Sequence, residues 1–195
     1  FLYKSKGERI GLITAYHVIR HREEEKIIVW ALTQQNEWVE VNNCKIAPCS
    51  SEKEDIAVLS FNPPGKSTQD FKTIGFPNYA FEGKILKIGV NIVWCGYPVT
   101  IGPFIPIFQK GMIAGHEGSR YIVDGMPNPG SSGGPVFSNY SKEVVGMIVA
   151  YVPEPSNYRL AIIEGQKNKV TQIFTNPSGL GIVIPAANIL RVFGI

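Results

Sequence analysis

Apolar residues in this chain come in short runs, mostly four to eight long, each closed off by glycine, proline or asparagine. Runs of that length between such breakers are strands of an all-β domain rather than long helices. The predicted strands are Ile10–Thr14, Ile27–Leu32, Trp38–Val41, Asp55–Phe61, Ile85–Ile88 and Asn91–Gly96. Gln109–Ile113, Arg120–Val123, Gly134–Phe137, Val144–Tyr151, Val170–Phe174 and Leu180–Ile184 complete the set. With 20 Gly and 14 Pro in 195 residues, the chain has breakers enough to turn between them all. Only the end departs from this rhythm. Pro185 at a first-turn position, with apolar residues at helical spacing through Phe193, predicts a closing helix.

Composition removes several function classes. A hydrophobic fraction of 44% with 18% charged residues describes a chain that folds around a core. The net charge is only +3 and no Lys/Arg cluster interleaves with aromatics, so no nucleic-acid partner is expected. The apolar stretch from Ile92 to Phe108 is interrupted by Gly96, Pro98, Gly102, Pro103 and Pro106, so no membrane span is expected there. The acidic run Glu23-Glu24-Glu25 reads as an exposed loop. Three cysteines, Cys44, Cys49 and Cys95, show no disulfide framework; Cys44 and Cys49 could pair in an oxidising compartment, but reduced, partly buried thiols are the favoured expectation. None stands at metal-ligand spacing from His17, His21 or His116, so neither a metal nor an organic cofactor is called for. No basic-then-apolar leader is visible, which favours a cytoplasmic setting.

The chemistry concentrates in Asn128-Pro129-Gly130-Ser131-Ser132-Gly133-Gly134-Pro135. A serine among glycines can sit on a tight turn with an exposed hydroxyl, and successive backbone N–H groups can converge beside it. Read alone, such an octet is only a turn. Upstream, however, Thr14-Ala15-Tyr16-His17-Val18 places a histidine just past a strand, and Asp55 opens the strand Asp55-Ile56-Ala57-Val58-Leu59. A nucleophile, a base and an orienting acid then follow in the chain order histidine, aspartate, serine. Glu52 and Glu54 flank the acid position, but Asp55 abuts the strand directly and is the better anchored. Asp124 lies too near Ser132 in sequence to serve, and suits a structural role. His21 and His116 have no motif around them.

Those three peptides resemble the signature blocks of trypsin-like serine peptidases. Asp124-Gly125-Met126-Pro127-Asn128-Pro129, Gly96-Tyr97-Pro98 and Gly179-Leu180-Gly181-Ile182-Val183-Ile184-Pro185 are similar to segments of the bacterial HtrA/Deg-type branch. The resemblance implies two six-stranded antiparallel β-barrels with a short C-terminal helix. Residues 1–70 would form the half bearing His17 and Asp55, and residues 71–195 the half bearing Ser132 and the helix. Pro63-Pro64-Gly65-Lys66-Ser67-Thr68 marks the divide, and no PDZ module is expected after Ile195. Two positions depart from the family: Tyr16 replaces a small or amide residue before the histidine, and Ser131 replaces an Asn or Asp before the nucleophile.

The resemblance implies a serine endopeptidase. His17 would take the proton of Ser132, Asp55 would fix the imidazole, and the N–H groups of Gly130, Ser131 and Ser132 would hold the oxyanion. Met126 would set the floor of the primary specificity pocket, with Val149, Ala150 and Tyr151 on one wall and Ile182 on the other. None of these is a carboxylate, so a small or medium apolar side chain is the expected preference at the cut site, not Arg or Lys. Substrates would be proteins or peptides. Two alternatives stand beside this: a pseudoprotease that binds peptides without turnover, and a latent protease domain released by a regulatory partner protein.

Overall fold

A computed structural model describes residues 1–4, 10–20, 27–41, 44–60, 70–97, 105–139, 143–153, 159–161, 172–174 and 177–193. In the first part, β1 (Leu2–Lys4), β2 (Ile10–Thr14), β5 (Lys45–Ile46) and β6 (Ala57–Ser60) make an antiparallel sheet in the order β1-β2-β6-β5. β3 (Val29–Leu32) and β4 (Trp38–Val41) make a separate antiparallel pair. Side-chain alternation turns Val29, Ala31 and Val41 inward, where they share a core with Leu2, Leu59 and Phe71. The first barrel expected from the sequence does not close among the described residues. β5 pairs over only two residues, too few to carry the ladder on to the β3–β4 pair, so packing joins the two sheets instead.

The second part closes. β7 (Asn91–Gly96), β8 (Ile107–Glu117), β9 (Arg120–Asp124), β10 (Pro135–Ser138), β11 (Val144–Pro153) and β14 (Pro177–Pro185) form a six-stranded barrel in the order β10-β11-β14-β9-β8-β7. Every neighbouring pair is antiparallel. Trp94, Ile113, Tyr121, Val123, Val136, Ile148 and Val183 fill it. A small ladder of β12 (Arg159–Ala161) and β13 (Gln172–Phe174) stands outside it. Ile85–Ile88 is no strand, because both neighbours of β7 are already supplied by β10 and β8. Ile85 and Ile88 are exposed in the loop that precedes it. The divide predicted at 63–68, His21 and the run 23–25 lie outside the described residues.

The two parts meet on one apolar cluster. Tyr3, Ile13, Ala15 and Ile56 from the first pack with Val144, Met147, Val149 and Ile184 of the barrel. Helix α2 (Asn78–Phe81) adds Ala80 to the same cluster, and helix α3 (Ala186–Phe193), the predicted closing helix, adds Ile189 and Leu190. Its Asn188 Nδ2 donates to Ser119 O at 2.7 Å and its Arg191 lies 3.6 Å from Glu54. Ala15 near His17 and Ile56 beside Asp55 thus share this cluster with Val149 of β11. Among the described residues no helix is long and apolar enough to cross a membrane.

Candidate active site

His17 sits in α1 (Tyr16–Ile19), a single turn that follows β2 and has no side-chain cap of its own. The first N–H groups of a helix lack internal partners. Here Asp55 satisfies two of them from far along the chain. Its carbonyl accepts from Tyr16 N at 3.2 Å, and its Oδ1 accepts from His17 N at 2.9 Å. The same carboxylate lies 3.1 Å and 2.9 Å from His17 Nδ1 through Oδ1 and Oδ2. A carboxylate only accepts, so Nδ1 carries a hydrogen, and in the neutral ring this leaves Nε2 as the acceptor.

Asp55 owes its position to a tight turn. Ser51 and Ile56 exchange backbone hydrogen bonds of 2.8 Å and 2.9 Å, and Asp55 N donates to Glu52 O at 3.0 Å. The turn leaves Asp55 at φ 58°, a left-handed conformation that Asp tolerates better than most residues. Of its neighbours, Glu52 is exposed and Glu54 faces Arg191, so among the described residues Asp55 alone pairs with the imidazole.

The serine loop is organised by its glycines. Pro129 and Gly130 occupy the central positions of a turn closed by Ser131 N donating to Asn128 O at 2.9 Å. With Gly130 at φ 94° this is a type II turn, the one Pro-Gly favours. Next, Gly133 lies at φ 82° against Thr14 and Ala15, where a Cβ would collide. That contact brings the serine loop against the histidine segment. The N–H groups of Gly133 and Gly134 are bound to Ile148 O (2.8 Å) and Ser131 O (2.9 Å). Those of Gly130 and Ser132 have no acceptor among the described residues. Two free donors thus flank a Ser131 N–H that is committed to the turn. The expectation that Ser131 would add a third oxyanion donor is corrected accordingly.

His17, Asp55 and Ser132 line one cleft of about 360 Å³ with Pro127, Asn128, Pro129, Val149, Ala150 and Tyr151. Ser132 Oγ donates to Val149 O at 3.0 Å, and among the described residues no hydrogen bond joins it to the His17 ring. Val149 can accept because a bulge in β11 takes it out of register with β14, between the pairs Ile148–Val183 and Ala150–Ile182. Val149, Ala150 and Tyr151 line the same cleft. Met126 does not line the cleft: it is 41% exposed, and its carbonyl is held by Gln109. Ile182 is absent from the lining as well, and packs against the apolar cluster between the two parts. Asp124 is exposed at the end of β9, and His116 bonds Leu86 O at 3.1 Å and packs tilted against the Tyr121 ring.

Residues 1–147 match the family model of the trypsin-like peptidase domain. The chain belongs to that family. No curated protein matches it. In this trypsin-like peptidase domain the match takes in positions 17, 55 and 132, while the wall at 149–151 and strand β14 lie beyond it. Cys95, on β7 behind the serine loop, is no rival nucleophile, because burial pushes its thiol up and keeps it protonated. Two features of the domain escape sequence reading: the Val149 carbonyl, which no side chain announces, and Gln109. The one signal for Gln109 is a neutral amide at an inward position of an alternating strand.

Proposed function

We propose that this trypsin-like peptidase domain is a serine endopeptidase of the HtrA/Deg-type branch, acting through His17, Asp55 and Ser132. The observation that carries the reading is the two-oxygen pairing of Asp55 with His17 Nδ1, in the cleft that Ser132 also lines. Residues 1–70 and 71–195 act as the two halves that bring these groups together.

Catalysis begins when Ser132 Oγ leaves Val149 O and turns its proton toward His17 Nε2. The oxygen attacks the scissile carbonyl as Nε2 takes the proton, and Asp55 stabilises the imidazolium. The N–H groups of Gly130 and Ser132 receive the oxyanion, each worth roughly 3 kcal/mol of transition-state stabilisation. His17 then protonates the leaving amine, and water hydrolyses the acyl-enzyme with His17 again as base. Apart from the Asp55–His17 pair, the lining residues carry no charge, so a small or medium apolar side chain is preferred before the cut. Profiling a peptide library tests this: cuts should follow residues such as Ala, Val or Leu and vanish in Ser132→Ala. Cuts mostly after Arg or Lys would overturn the specificity, and cleavage by Ser132→Ala would overturn the mechanism.

The Ser132–Val149 hydrogen bond also favours a second reading, a domain latent until a partner releases the hydroxyl. Turnover by the isolated chain at the rate seen with added cell extract would remove it.

A further inference from the structure

Gln109 lies on β8 directly across from Trp94 on β7. Its Nε2 donates to Met126 O at 3.0 Å. Its Oε1 accepts from Trp94 Nε1 at 3.1 Å and Asn128 N at 3.3 Å, and Ser131 Oγ stands 3.4 Å from the same oxygen. Two N–H donors on one side and a carbonyl on the other permit a single orientation of the amide. Trp94 is fully buried, so one end of this network is fixed in the barrel core. The other end grips the backbone at 126 and 128, immediately before the turn that presents Gly130 and Ser132.

We infer that Gln109 is a positioning residue for the oxyanion hole, setting the direction of the Gly130 and Ser132 N–H groups through the 126–131 segment. This rests on the proposed reading of those two groups as oxyanion donors. A hydrocarbon at 109 would leave Trp94 Nε1, Asn128 N and Met126 O without partners. A carboxylate would keep the acceptor but lose the donor to Met126 O.

The test uses the whole chain. Gln109→Met keeps the side-chain length and removes every hydrogen bond. Its kcat is expected to fall about 10- to 100-fold with KM within about threefold. Affinity for a peptide aldehyde, whose adduct on Ser132 places an oxygen in the hole, should fall in step with kcat/KM. Gln109→Glu, which loses only the Met126 bond, should fall less, and it stands in if the Met variant does not fold. Unchanged kcat and aldehyde affinity in a folded variant would overturn the inference. So would a loss that follows lowered Tm while the ratio of aldehyde to substrate affinity stays fixed. An inactive wild type that also ignores the aldehyde would bring down the endopeptidase reading and this inference together. An active wild type with an indifferent variant would remove this inference alone.

Discussion

At Asp55 three demands coincide in one residue: a left-handed backbone, a cap on α1 and a bond to the imidazole. Substitution can separate them. Asp55→Asn keeps a side-chain oxygen for His17 N and tolerates the positive φ, so stability should change by less than about 1 kcal/mol. Its kcat should nonetheless fall about 10⁴-fold, because the amide favours the wrong tautomer. Asp55→Ala gives up the cap as well, and should lose a further 1–2 kcal/mol or so in urea unfolding. An Asn variant with near wild-type kcat would remove Asp55 from the mechanism. Gly133 makes a steric demand instead. Gly133→Ala meets Thr14 and Ala15 at φ 82°, and should destabilise by roughly 1–3 kcal/mol and lower activity more than stability alone explains. A neutral result in both assays would show that the serine loop does not need that close approach. The meeting of His17, Asp55 and Ser132 in one cleft was expected from sequence because each sits in a distinctive peptide. Gln109 was not, since its meaning depends on a backbone carbonyl and N–H that only folding brings to it.

Among the elements, strands long enough to alternate declared themselves. β7 runs over Asn91–Gly96 as read from sequence, and α3 begins one residue after the predicted Pro185 start. β1 and β5, three and two residues long, offer too few alternations to register. Ile85–Ile88 has the composition of a strand, but β10 and β8 already occupy both sides of β7, the strand it precedes. The bulge at Val149 is invisible for a related reason: register belongs to a pair of strands, and one strand's residues do not encode it. Helix α3 locks the two parts together, which gives a test at this scale. Ile189 is fully buried in the shared cluster, so Ile189→Ala should lower stability by about 2–5 kcal/mol. A loss below about 1 kcal/mol would mean the helix is dispensable to the packing that holds the cleft.

For the whole molecule, the main departure from the sequence reading is that the second barrel closes while the first does not among the described residues. Burial carries its own consequence for pH. It pushes up the thiols of Cys44 and Cys95 and the phenols of Tyr3, Tyr79, Tyr97 and Tyr121. Each holds its proton more tightly folded than unfolded. Their contribution is therefore complete below the ordinary values of 9.0 for Cys and 10.0 for Tyr, and is lost as pH climbs through the raised folded values. Tm should accordingly start to fall above pH 9.0 and fall further above pH 10.0. A flat profile across that range would show these groups to be solvated. The central claim, that Asp55, His17 and Ser132 work as one nucleophilic unit, is tested most directly by reaction with a fluorophosphonate followed by peptide mapping. The account predicts a single adduct on Ser132, absent from Ser132→Ala and greatly slowed in His17→Ala. An unlabelled wild type, or an adduct that persists in Ser132→Ala, would contradict it.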